Sequence, residues 1–177
     1  MPHSPRTPHP PHSPLHIRPM LLTDCHRVSE IRVRGWQRAY RDIVSDAYLD
    51  KLSVEEDAEL RRARFGRGEG VNLVAERDGE VLGWAAYGPG REGEVPDGNG
   101  ELYALYIDPE HLGGGIGRAL LTEVADRCAA YPRVYLWVLT GNTRARRFYE
   151  RAGFRPDGTE QSFEAGGAQV FEVRYVK

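Results

Sequence analysis

The sequence predicts a single α/β domain of the α+β kind: a curved, mixed, mainly antiparallel sheet of about six to seven strands with helices on both faces. Three observations carry that expectation. Short strand-like runs alternate with stretches of helical period along the chain. Two of those runs, VNLVAER and VLGWAAY, are separated by Asp78, Gly79 and Glu80, a hairpin signal because Asp-Gly accepts the positive backbone angles of a tight turn. One strand, helix, strand portion from Glu101 to Leu139 requires a right-handed crossover between parallel strands, which makes the sheet mixed.

Composition bounds the rest. A chain of 177 residues with 40% hydrophobic content is one domain able to bury a real core. Lys plus Arg at 24 against Asp plus Glu at 26 gives a net charge of -2, so nothing global steers it to nucleic acid or an anionic membrane. Any anion must be bound locally. Cys25 and Cys128 make no disulfide framework, and no His or Cys lies near them at ligand spacing, so buried thiols and no metal are expected. No apolar run approaches the roughly 18 residues of a membrane span, and the start of the chain lacks a secretory apolar core. The expectation is a cytoplasmic protein, monomer or homodimer, without nucleic-acid or membrane partners. Residues 1–15, rich in Pro, His and Ser, read as a disordered tail ahead of a domain at 16–177. Histidines at 3, 9, 12, 16 and 26 leave a metal-binding tail as the other reading of that segment.

From Leu15 the elements follow in order. LHIRPM is a short strand ended by Pro19. Thr23 or Asp24 caps a helix through Val28, Ile31, Val33 and Trp36. A second helical region covers Asp46 to Phe65, broken near Ser53, where SVEE supplies the cap and acids of a new start. After the VNLVAER and VLGWAAY pair, Gly88 to Gly100 is a surface loop. ELYALYI is a strand. The next helix buries the stripe Leu120, Leu121, Val124, Ala125 and Cys128. RVYLWVL is a strand, NTRARRFYERAGF a short helix, and QSFEAGGAQVFEVRYV a hairpin turning at Gly166 and Gly167.

Four glycines, Gly113, Gly114, Gly115 and Gly117, stand immediately before the helix that follows ELYALYI. Backbone N–H groups at a helix N-terminus favour an anion such as phosphate, and glycine lets that backbone come close. A loop whose glycines only make the turn is the plainer alternative. No Lys-Ser or Lys-Thr follows, which excludes the P-loop, and Arg118 or Leu120 falls where the dinucleotide fingerprint needs its last Gly or Ala.

The segment LYIDPEHLGGGIGRALL resembles the acetyl-coenzyme A motif of the Gcn5-related N-acetyltransferases (GNAT), Gln/Arg-x-x-Gly-x-Gly/Ala, with Gly115 and Gly117 in the glycine positions. NTRARRFYERAGF, Asn142 to Phe154, resembles that family's second motif, Asn-x-x-Ala-x-x-Phe-Tyr-x-x-x-Gly-Phe. The order of elements agrees from Leu15 onward. The departure is Leu112, which stands where the family has Gln or Arg and can neither donate a hydrogen bond nor carry charge.

The resemblance implies acetyl-CoA as cofactor, held where two central parallel strands, Glu101 to Ile107 and Arg133 to Leu139, splay apart. It implies that the main chain of Leu105, Tyr106 and Ile107 pairs with the pantetheine arm. Gly113, Gly114, Gly115, Ile116, Gly117 and Arg118 would take the diphosphate. Asn142 would face the cofactor, although capping alone also explains an Asn there. Tyr149, by itself a packing residue, would protonate the leaving thiolate; a phenol pKa of about 10 against about 8.5 for a thiol makes full transfer uphill by roughly 2 kcal/mol, so positioning has to help. Glu101 is the candidate base for the amine, with an exposed strand-end charge as its plain reading. Trp36 and Tyr40 would wall the acceptor pocket, with Asp or Glu side chains attracting a cationic amine.

The expected activity is acetyl transfer from acetyl-CoA to a primary amine of a small molecule by direct attack in a ternary complex. A protein or peptide N-terminus is the alternative acceptor; family members that use one often carry a glutamate where Trp137 stands. A non-catalytic acyl-CoA sensor is the alternative of another class.

Overall fold

The computed structural model describes residues 13–68 and 70–177. The first twelve positions of the expected tail, with His3, His9 and His12, lie outside the described residues. The remainder forms one seven-stranded sheet in the order β1-β2-β3-β4-β5-β7-β6. Its strands are β1 (His16–Pro19), β2 (Val71–Arg77), β3 (Glu80–Pro89), β4 (Gly100–Ile107), β5 (Val134–Leu139), β6 (Arg155–Ala165) and β7 (Ala168–Val176). The helices are α1 (Cys25–Ala39), α2 (Asp46–Leu49), α3 (Val54–Arg64), α4 (Ile116–Arg127) and α5 (Thr143–Arg151). Only β4 and β5 pair in parallel; every other neighbour is antiparallel.

The expected turns form for the expected reasons. Asp78 and Gly79 join β2 to β3 with φ of 53° and 79°, and Gly166 and Gly167 join β6 to β7 with φ of 62° and 81°. Ser53 starts α3, its hydroxyl accepting the Glu56 N–H at 3.2 Å. Asp24 behaves differently. A 3-10 turn at Leu22–Asp24 precedes α1, and the Asp24 carboxylate reaches back to accept the Leu21 N–H at 2.7 Å while pairing with Arg18. Burial pushes that carboxyl up, but Arg18 and the Leu21 N–H together hold it below the usual carboxylate range.

The two sides of the sheet carry separate cores. On one side α4, α5 and the turn after α5 cover Leu102, Leu136, Val138, Val173 and Tyr175 through Leu120, Val124, Tyr149 and Phe154. On the other, α1 places Cys25, Val28 and Ile31 over Val74, Trp84 and Ala86. A third cluster joins Val44 and Leu49 to Leu139, Ala165 and Val170, with Trp36 and Tyr40 at its margin. Both cysteines are buried, as composition suggested, and burial raises their thiol pKa values.

Two segments depart from the sequence reading. β6 begins at Arg155 rather than Gln161, with an irregular register between Pro156 and Glu160; the proline and Gly158 hide a strand that is bent rather than absent. The 88–100 segment is more than a surface loop. Pro89 pairs with Gly100 at its neck, Val95 is buried, and Glu94 and Arg91 are tied to the sheet.

Candidate active site

β4 and β5 stay together for only three residue pairs, Gly100 with Val134, Glu101 with Tyr135, and Leu102 with Leu136. Beyond Leu102 they part. β4 continues to Ile107 bonded to β3, with Ala85, Trp84 and Gly83 opposite Leu105, Tyr106 and Ile107. Among the described residues, Tyr103 to Ile107 have no strand partner on the β5 side. The register between β3 and β4 shifts at Ala86/Tyr87, which leaves Tyr103 as an extra residue where the strands separate. The result is an open strand edge inside a sheet, able to pair with an extended amide-bearing chain.

The glycine loop stands at the end of that edge. Asp108 closes β4: its N–H donates to the Leu82 carbonyl at 2.9 Å, and its carboxylate accepts the Glu110 N–H at 2.9 Å and pairs with Arg27 of α1. Burial pushes this carboxyl up, but the Glu110 N–H and Arg27 outweigh it and hold it below its ordinary value. Sequence reading passed over Asp108 because an aspartate before proline looks like ordinary turn chemistry.

Gly113 and Gly115 then take φ of 88° and 82°, and nothing lies within 4 Å of where a Cβ would stand on either. Gly115 is the N-cap of α4 and has no side chain to close it. The Ala119 N–H makes a helical bond to the Gly115 carbonyl at 3.0 Å, so the N–H groups of Ile116, Gly117 and Arg118 precede the helical ladder. Gly117 differs: it has no positive φ, and an added Cβ would lie 3.4 Å from the Phe148 ring, in ordinary contact, so neither backbone conformation nor crowding requires a glycine there. Bare, exposed backbone with free donors at a helix N-terminus fits a diphosphate. Leu112 leads into this loop in extended conformation and is half-buried.

α5 brings the second set of groups. The Asn142 side chain accepts the Ala145 N–H at 3.1 Å and caps the helix. Tyr149 is buried about two turns further on, edge-to-face with Phe148 and Phe154 at centroid distances of 5.2 and 5.9 Å. From α1, the Trp36 Nε1–H donates to the Tyr106 hydroxyl at 2.8 Å, and Tyr40 sets its ring against Trp36 at 4.8 Å. Burial pushes the Tyr40 phenol up, Tyr106 and Tyr149 push it further, and a hydrogen bond with Asn142 works against them. Burial, with Tyr106, also raises the Tyr149 phenol. Tyr149 therefore keeps its proton at neutral pH. Residues from α1, β4 and α5 meet here, at the strand gap, although more than a hundred positions separate Trp36 from Tyr149 in sequence.

Glu101 sits apart from the opening, in the paired part of β4, and is completely buried. Its carboxylate accepts the Arg91 N–H at 3.0 Å and the Arg91 Nε–H at 3.1 Å, and Nη2 of the same guanidinium also donates. It is not the exposed strand-end charge of the plain reading. It anchors the turn between β3 and β4, with both oxygens occupied.

No group of three or more His, Cys, Asp or Glu side chains suited to a metal ion occurs among the described residues, and no described helix is long and apolar enough to cross a membrane.

Comparison with known proteins agrees with this geometry. A family model described as the acetyltransferase (GNAT) family matches residues 36–154. The chain is 30% identical over 160 residues to the N-acetyltransferase YuaI of Bacillus subtilis (strain 168), covering 89% of each protein. It is 39% identical over 107 residues to a mycothiol acetyltransferase of Acidothermus cellulolyticus, a match covering 54% of this chain and 33% of the relative. Its fold matches that of the PaiA N-acetyltransferase from Thermoplasma acidophilum, a structure in complex with coenzyme A, with a TM-score of 0.67 at 23% identity over 90% of this chain and 98% of that one. The splayed strands, the glycine loop and these likenesses converge: the chain belongs to the acetyltransferase (GNAT) family and is an acetyl-CoA-dependent acyltransferase.

Proposed function

We propose that this chain, as a 16–177 domain, transfers an acetyl group from acetyl-CoA to a primary amine of a small molecule by direct attack in a ternary complex. The observation that carries the reading is the meeting of Tyr40, Tyr106, Asn142 and Tyr149 at the gap between β4 and β5, with the glycine loop at the gap's far end. Bound there, acetyl-CoA supplies an acetyl thioester and leaves as a thiol.

Each residue then has a task. The N–H groups of Gly113 to Arg118 hold the diphosphate, with the Arg118 side chain exposed at the rim to add charge. The free edge at Leu105, Tyr106 and Ile107 aligns the pantetheine amides. Tyr149 gives its phenolic proton to the departing sulfur as the carbon–sulfur bond breaks and the carbon–nitrogen bond forms. The proton lost from the amine nitrogen restores the phenol, so amine and thioester become amide and thiol with nothing left over. Trp36 and Tyr40 wall the acceptor side. Cys25 and Cys128 are buried away from this gap, in the α1 and α4 cores, which favours direct attack over an acyl-cysteine intermediate.

The acceptor is read as a small molecule because Trp137 occupies the position where peptide-directed members of the family often carry a glutamate, and because one similar protein is named as a mycothiol acetyltransferase. A cytoplasmic monomer or homodimer suits the charge balance. Thiol release from acetyl-CoA with a panel of primary amines tests the reading. Turnover with small amines and none with peptides is expected. Coenzyme A binding without turnover by any amine makes the chain a sensor instead.

A further inference from the structure

The acceptor's ammonium group has to be recognised by an anion, and Glu101 is committed to Arg91. The strands fix which other carboxylates face the acceptor side. In β7, Val170, Glu172 and Arg174 lie on one face and Val173 and Tyr175 on the other. Val173 and Tyr175 belong to the core under α4 and α5, whereas Val170 packs with Leu139, Trp36 and Tyr40. Residues directly opposite one another share a face, and Glu172 stands opposite Leu139 of β5 and Gln161 of β6. Its carboxylate therefore lies on the Trp36 and Tyr40 side, one strand from the gap. Trp137, two residues before Leu139, shares that face opposite Arg174.

The charges around Glu172 are arranged unequally. Gln161 Nε2 donates to Glu172 Oε2 and to Glu94 Oε2, both at 3.2 Å, so one neutral amide bridges two carboxylates. Nearby cations are engaged elsewhere: Arg91 holds Glu101, and Arg174 binds Asp157, Thr159 and the Glu94 carbonyl. Among the described residues no Lys, Arg or His nitrogen forms an ion pair with Glu172 or Glu94. Burial raises the Glu172 carboxyl; the Gln161 hydrogen bond opposes the shift, Glu94 adds to it and Arg91 opposes it. On the same face, opposite Arg174, whose guanidinium lies 5.7 Å from the indole centroid, the Trp137 Nε1–H is buried without a hydrogen-bond partner. A buried donor without a partner costs about 1–3 kcal/mol, so an acceptor atom supplied by a ligand would recover that loss.

Resting on the proposed amine acetylation, we infer that Glu172 is the specificity-determining carboxylate that receives the acceptor's alkylammonium group, with Glu94 behind it and the Trp137 N–H bonding an oxygen of the acceptor. The substrate class is then a cationic alkylamine that carries a hydrogen-bond acceptor, drawn in as the ammonium and losing its proton to water before attack.

The test is calorimetric binding of acceptors to the full chain saturated with coenzyme A, which needs no turnover. The probes are tyramine, glucosamine and spermidine as alkylammonium ions, and p-anisidine as an aryl amine neutral at pH 7. Glu172→Gln keeps the shape and removes the charge. It is expected to weaken the tightest alkylamine about tenfold, as loss of a charged hydrogen bond does, while leaving p-anisidine and coenzyme A unchanged. Glu172→Asp should restore most of the loss, which a merely structural role would not produce. Equal alkylamine affinity in wild type and Glu172→Gln overturns the inference, as does an equal loss for p-anisidine or the absence of alkylamine binding to wild type. Thiol release, measured separately, reports on the acetylation reading: charge-selective binding without thiol release would defeat that reading and leave the ammonium site standing.

Discussion

In the proposed reading, the two sides of the β4–β5 gap recognise their ligands by different means. On the α4 side the site is main chain: a free strand edge at Leu105 to Ile107 and unbonded N–H groups at the start of α4. On the α1 side it is side chain: Trp36, Tyr40, Tyr106, Trp137 and Glu172, drawn from α1, β4, β5, β7 and the turn after α1. Backbone recognition depends on local conformation, so it is sensitive to φ and tolerant of side-chain change. Side-chain recognition depends on which residues the topology brings together. It can change its substrate without disturbing the cofactor.

That contrast can be broken from either side. The largest effect is expected at Tyr149, where chemistry and binding separate. Tyr149→Phe keeps the ring contacts with Phe148 and Phe154 and removes only the hydroxyl that carries the proton, so turnover should fall about a hundredfold or more. Coenzyme A affinity, measured by calorimetry, should not change. Unaltered turnover would take Tyr149 out of the mechanism.

A smaller effect is expected within the loop. Gly115 holds φ of 82°, so Gly115→Val should cost about 1–2 kcal/mol of strain in the left-handed region, weakening coenzyme A binding and lowering the melting temperature. Gly117→Ala adds a methyl at ordinary contact distance from Phe148 and should bind almost as wild type. Equal losses at both positions would show that crowding, rather than backbone conformation, limits the loop.

The smallest effect is expected at Leu112. Since the loop's donors are main-chain groups, Leu112→Arg should tighten coenzyme A by only a few-fold, about the worth of one exposed ion pair, and high salt should abolish the gain. A gain of many tens-fold would mean that the backbone contributes far less than its geometry suggests.

The same division explains what could be read from the sequence. The glycines, the Asn142 cap, the two hairpin turns and the stripe of α4, apart from Ala125, which is exposed, were legible because each is a local rule: a positive φ, a capped terminus, a helical period. The parting of β4 and β5 was expected from the family resemblance, and the register shows pairing ending at Leu102. The acceptor side was legible only as a general need for aromatic walls and acids. Glu101 drew attention for its place at a strand start, yet Arg91, ten positions earlier in a turn that looked like plain loop, engages its carboxylate. Glu172 drew none, since a glutamate in an alternating strand reads as solvent-facing. Only its register opposite Leu139 puts it on the face of the sheet that carries Trp36 and Tyr40. Asp108 was missed for a similar reason: its partner Arg27 is eighty-one residues away.

The central claim is that coenzyme A is held by main-chain groups in the strand gap and the glycine loop. Amide hydrogen exchange, followed by mass spectrometry with and without saturating coenzyme A, tests it most directly. Protection is expected over residues 105–107 and 113–118, with little change in β6 and β7. Binding that leaves both segments exchanging as before, or that protects the β6–β7 hairpin instead, would contradict the claim.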